Sequence, residues 1–218
     1  MKRGQIELSM LTRFAMIFFI VSLAAIMLGL SNREKAQLCM TQSASMASSI
    51  ASQVAQVITS PVEDERKIFP LTGSLAIGKE EYSRYEITLT NKPPARAGET
   101  GYILVEVKPI GTSECRITVP VYYDDSQLDA LTLLPAAGEE LNETALGTAL
   151  TLEPSRRTGA RSQFLTVMKC KPKYVGLKTR LWIEDCRNDD PRTCMNFSAV
   201  DNCCGWSWMQ TRTSPDCS

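Results

Sequence analysis

Histidine is missing altogether from this chain of 218 residues. Its absence removes the Ser-His-Asp and Cys-His nucleophile systems, the His-based zinc hydrolases and the 2-His-1-carboxylate iron sites. Neither sign of charge is in excess: 24 basic side chains meet 24 acidic ones, so no global basic field exists to grip nucleic acid. Cysteines at the C-x2-C spacing of metal sites are lacking, and so is any internal repeat. The adjacent carboxylates Asp124-Asp125, Glu139-Glu140 and Asp189-Asp190 do not form acid/base pairs as they stand, because neighbours on a strand point to opposite faces. Asp189, Asp190 and Asp201 follow no calcium-loop pattern. No catalytic residue, metal or cofactor is implied, and an enzyme is not expected. The length allows one ordinary domain with an appendage, or at most two small domains.

Two stretches lack charge entirely, and they organise the N-terminal third. Phe14 to Leu30 is 17 consecutive uncharged residues, about 25 Å as a helix, the short end of what crosses a bilayer core. Lys2, Arg3 and Arg13 precede it against Glu7 alone, so the N-terminus is expected in the cytoplasm and residues 31–218 outside. A cleaved secretory signal would end in a small-x-small site, but Met27-Leu28-Gly29-Leu30 runs into Ser31-Asn32-Arg33-Glu34-Lys35. A lipoprotein signal fits less well, since Cys39 lies beyond three charges and follows Ala36-Gln37-Leu38. A plain single-pass anchor remains open.

Ala36 to Ser60 then gives 25 residues with no charge, glycine or proline. Met46, Ile50, Val54 and Val57 recur on one face of a helix, flanked by Ala47, Ala51, Ala55 and Ile58, with Ser, Thr and Gln opposite. Pro61 marks the end. Gln5 to Ser60 therefore reads as one helix of 56 residues, about 84 Å long. A water-facing helix normally carries Glu, Lys and Arg, whereas small-residue faces suit close packing between helices. The rod is expected to be buried among copies of itself; a flexible or O-glycosylated Ser/Ala-rich stalk is the alternative.

The leader end Lys2-Arg3-Gly4, the Gln5-Ile6 that follows it, the apolar span and the charge-free continuation together resemble the class III signal peptide of type IV pilin-like proteins, particularly the archaeal branch. Phe69-Pro70-Leu71 and the alternating Tyr85-Glu86-Ile87-Thr88-Leu89 also match. The resemblance covers about residues 1–90. It implies a leader at 1–4, cut after Gly4 by a prepilin peptidase, and a mature helix that starts at Gln5. That helix would polymerise through the pilus assembly machinery into a surface filament, after membrane insertion as a precursor. The fifth mature residue departs from the bacterial pattern, being Ser9, and the acid is Glu7. Glu7 and Arg13 are six residues apart and point about 240° apart on a helix, so they are expected to pair between subunits offset by about 9 Å. Snorkelling of Arg13 to the headgroups is the other outcome. A single-pass membrane-anchored extracellular binding module that does not polymerise is the alternative function.

The fold expected is α+β: the long helix, then a β-sandwich-like domain over 61–169 and a cysteine-rich cap over 170–218. Strand-like runs are Ser83–Thr90, Gly101–Lys108, Cys115–Tyr123, Gln163–Cys170 and Tyr174–Glu184, separated by turn-rich pieces. Glu63-Asp64-Glu65-Arg66-Lys67 reads as a hinge, and 135–161 as loops. Cys170, Cys186, Cys194, Cys203, Cys204 and Cys217 crowd the last 49 residues, as in a disulfide-stapled cap with a poor core. Those six allow 15 pairings, and none is assigned; Cys39 and Cys115 are free or paired. Asn142 and Asn196 head N-glycosylation triplets. Trp206, Trp208 and Met209 either cover the disulfide core or form an adhesive patch.

Overall fold

The computed structural model describes residues 3–62, 65–76, 82–96, 98–111, 115–124, 128, 130–134, 148–170, 179–190 and 194. One helix, α1 (Arg3–Thr59), leads into β1 (Glu65–Pro70), β2 (Leu75–Ala76), β3 (Tyr82–Ser83), β4 (Tyr85–Lys92) and β5 (Thr100–Pro109). There follow β6 (Ile117–Asp124), β7 (Ala130–Leu134), β8 (Ala149–Leu152), β9 (Phe164–Cys170) and β10 (Arg180–Cys186). The class is α+β. The helix runs unbroken because no proline occurs before Pro61.

Two four-stranded sheets form the head, in the orders β6-β5-β4-β8 and β1-β9-β10-β7, beside the short hairpin of β2 and β3. In the first sheet, period-two alternation sends Ile87, Leu89, Ile103, Val105, Val107, Leu150 and Leu152 inward. Its outer face carries cross-strand ion pairs, Glu86 with Lys108 at 3.1 Å and Glu106 with Arg116 at 2.7 Å. The second sheet contributes Phe69, Leu131, Leu133, Leu165, Val167, Leu181 and Ile183 to the same core. β10 is buried on both faces, since Trp182 and Glu184 are as enclosed as Leu181 and Ile183.

Gly101 stands opposite Tyr123 in the β5–β6 register, and a Cβ there would come within 2.8 Å of both the Tyr123 ring and Pro94. Glycine is thus required by close approach of an aromatic ring, whose hydroxyl donates to Asn91 Oδ1 at 2.7 Å.

Several elements differ from the sequence expectation. Glu65–Lys67 open the edge strand β1 and are not a hinge; an edge position tolerates their charges because one side of the strand stays open. Ala149–Leu152 falls in the stretch read as loops but pairs with β4, four alternating residues being too short to signal a strand alone. β7 pairs in parallel with β10, which the hairpin-like strand spacing did not suggest. β10 lies within the residues assigned to the cap, yet it sits between β9 and β7 inside the sheet.

Candidate functional site

The helix has two halves with different surroundings. From Met10 to Leu30 the large apolar side chains are bare; Phe18, for example, is 75 % exposed. This is the one helix among the described residues long and apolar enough to cross a membrane, and none of its most apolar window is buried by the chain. From Cys39 onward the helix lies on the head. Cys39, Ser43, Ala47 and Ala51 form a ridge at spacing four, all buried, and Ile50, Val54, Val57 and Ile58 lie beside it. The small ridge lets the backbone come close to β5 and β6, while the larger residues fill the core.

The face expected to pack among sister rods therefore packs on the chain's own sheets. Ile50, Val54 and Val57 are core residues, and Met46 is partly buried against them. Small residues and aliphatics at helical spacing serve helix-on-sheet contact as well as helix-on-helix contact, and the sequence pattern does not separate the two. What remains outward on this half is Gln37, Leu38, Met40, Thr41, Gln42, Ser45, Ser48, Ser49, Ser52, Gln56 and Thr59, without a single charge. Two of the hydroxyls bond back to their own helix, Thr41 Oγ1 to Gln37 O and Thr59 Oγ1 to Ala55 O, each at 2.9 Å. Such back-bonded hydroxyls make little demand on water.

Each end of the covered half is clamped. A disulfide joins Cys39 to Cys115, with Cα atoms 5.7 Å apart, and ties the helix to the turn between β5 and β6. At the other end Lys169 reaches from β9, buried, and its Nζ donates to Ile58 O at 2.9 Å and Ser60 O at 2.7 Å. The last carbonyls of a helix lack intrahelical partners and carry its negative pole, so a buried ammonium satisfies both needs. Lys67 Nζ adds a bond to Gln56 Oε1 at 3.2 Å. The Glu65 carboxyl is held below its ordinary value, first by a hydrogen bond from Ser60 and then by Lys67, against some desolvation. The last turn of the helix contains no basic residue, so nothing local in the sequence marked Lys169 as its cap.

A second disulfide, Cys186–Cys194, closes the end of β10, and Arg66 Nη2 donates to the Cys194 carbonyl. Burial lowers the Arg66 guanidinium, with Glu184 opposing the shift. No described cysteine is free. Cys170 ends β9, its side chain undescribed, while Cys203, Cys204, Cys217, Asn142, Asn196, Asp201, Trp206, Trp208 and Met209 lie outside the described residues. So does Lys2; Arg3, Gly4, Gln5 and Glu7 have helical backbone, with side chains undescribed, and Arg13 is exposed on the same helix. Among the described residues no cluster of three or more His, Cys, Asp or Glu is placed to hold a metal.

No family model, curated protein or solved structure matches this chain. The functional reading rests on the helix and its junction with the head.

Proposed function

We propose that this chain is a structural subunit of a type IV pilus-like surface filament. It would enter the membrane by its N-terminal helix with the N-terminus cytoplasmic, lose its leader after Gly4, and polymerise with copies of itself. The observation that carries this reading is a single helix that presents two uncharged surfaces, one apolar and one of small polar residues. The bare apolar half and the uncharged outer face of the clamped half lie on one unbroken helix, with the exposed Arg33-Glu34-Lys35 between them, so one rod offers both to neighbours. Lipid covers only the first; sister helices cover both, and the back-bonded hydroxyls lower the cost of drying the second. The two disulfides among the described residues suit an exported head, because such bonds persist outside the cytosol.

A second reading is favoured by the burial of Ile50, Val54 and Val57 within the chain. With that face taken, residues 10–30 are the large apolar surface left among the described residues, and a single-pass anchor for an extracellular binding module needs no more. The Ser48→Glu/Ser52→Glu variant separates the two. Both serines are exposed, so a monomeric anchor should fold, insert and keep its stability within about 0.5 kcal/mol. A filament subunit should be processed to Gln5 but no longer yield filaments by electron microscopy. Normal filaments from the doubly acidic rod would refute burial of this face, and an intact Met1 in wild-type membrane fractions would refute processing.

A further inference from the structure

The disulfide ties Cys39 to the start of β6, and Lys169 near the end of β9 reaches Ile58 and Ser60, so the two clamps fix which end of the head faces the apolar span. Nine residues separate Leu30 from Cys39, about 13.5 Å of rise. The disulfide holds the β5–β6 turn at that height. The registers Tyr85↔Pro109, Ile87↔Leu152 and Val107↔Ile117 bring the start of β4, the end of β8 and the start of β6 to the same end. The loop that leaves β8 therefore emerges on the side of the span. Tyr85 N donates to Ser155 Oγ at 3.1 Å, which anchors the loop there.

That loop, Glu153 to Ser162, is built firmly at its base and basic at its tip. Glu153 N donates to Ser162 Oγ at 2.8 Å, Ser162 N returns to Glu153 O at 3.3 Å, and Ser155 Oγ donates to Gly73 O at 2.7 Å. Both serines are buried. Gly159, at φ 85°, turns the tip in a conformation a side chain disfavours. Arg156, Arg157 and Arg161 are all exposed. Arg156 pairs with Glu153 at 3.1 Å, whereas Arg157 and Arg161 have no carboxylate partner among the described residues. On the neighbouring β5–β6 turn Ile110 is 42 % exposed. Arg157 is exposed at the tip, and the exposed Arg161 lies beside Gly73, where a Cβ would come within 3.0 Å of its guanidinium, so neither contributes a described ion pair to the fold.

We propose that this loop docks the head on anionic lipid headgroups, through Arg157 and Arg161, while the subunit still resides in the membrane. The headgroup layer is about 5–8 Å thick on each side, which leaves about 6–8 Å between it and the strand ends. A projecting loop with extended arginines spans that gap. Guanidinium groups recognise phosphate oxygens through paired N–H donors, and they are drawn to an anionic surface within a Debye length. This inference rests on the membrane-insertion reading above.

The test uses the full chain in nanodiscs of phosphatidylglycerol or phosphatidylcholine, with amide hydrogen exchange followed along the sequence. Two arginines at an anionic surface strengthen docking by about 30-fold. Loop amides 156–161 should exchange more slowly in phosphatidylglycerol, and the difference should vanish in 0.5 M salt and in Arg157→Gln/Arg161→Gln. Protection of residues 14–30 in both lipids reports insertion independently. If those residues exchange freely, the insertion reading fails. If they are protected while the loop ignores lipid charge, or if the double variant keeps the wild-type difference, the docking proposal is overturned.

Discussion

Replacing Cys39 and Cys115 together by alanine tests whether the rod is part of the head. The bond closes a loop of 76 residues, and the chain-entropy relation gives about 4.5 kcal/mol for a closure of that length. The same relation gives about 2.5 kcal/mol for Cys186–Cys194, which closes 8 residues. All four cysteines are buried, so alanine leaves cavities of similar size at both sites, and the difference isolates loop length. Alanine is preferred to serine because a buried, unpaired hydroxyl adds its own penalty. Urea unfolding of the full chain in mild detergent provides the assay, read by hydrogen exchange of the core amides at 50–58 and 165–169. At a slope of about 2 kcal/mol per molar urea, the Cys39→Ala/Cys115→Ala midpoint should fall by about 2 M, and that of Cys186→Ala/Cys194→Ala by about 1 M. Equal shifts, or the reverse order, would refute a rod that is closed onto its own domain.

Two further outcomes follow from the same core. Lys169→Met removes two charged hydrogen bonds from the helix end and should cost about 2–4 kcal/mol, with faster exchange at residues 55–59 and little change near Cys39. Its effect should add to that of the Cys39 and Cys115 replacement, because the clamps lie about 28 Å apart along the helix; strong coupling in a double-variant cycle would contradict two separate clamps. Burial raises the phenols of Tyr85 and Tyr123 above their ordinary value, so the folded chain holds those protons at a pH where the unfolded chain releases them. Stability should accordingly fall as pH rises past about 10, and the fall should be shallower in Tyr85→Phe/Tyr123→Phe; an unchanged alkaline slope in urea titrations would show that neither phenol carries it.

The long helix and the central strands were legible because their periods are unambiguous. Charge-free helical spacing over Ala36–Ser60 and alternation over Tyr85–Leu89 and Tyr102–Val107 each admit one secondary structure. The partner of the helical face was not legible. Ile50, Val54 and Val57 say only that something apolar covers them, and a ridge such as Ser43-Ala47-Ala51 fits a sheet as closely as another helix. β1 was hidden by its charges, and β8 by its brevity. Lys169 and Cys115 were invisible as clamps because each acts on a helix residue 76 or more positions away, a relation that depends on the finished fold.

Replacing a hinge by a clamp changes what assembly has to supply. A flexible five-residue joint at 63–67 would have to be ordered whenever a subunit entered a regular filament, at about 1–2 kcal/mol per residue. Strand pairing of Glu65–Lys67 with Val167–Lys169 orders those three residues when the monomer folds. The disulfide and Lys169 fix the angle between rod and head by the same route. In the proposed filament, the outward face of the rod, from Leu38 to Thr59, would therefore meet a neighbour as one rigid uncharged surface. Each contact made there would count toward association instead of toward straightening the subunit. A chain whose task ended at anchoring a head near the membrane would have no comparable use for a stiff junction on a helix continuing some 40 Å past the lipid.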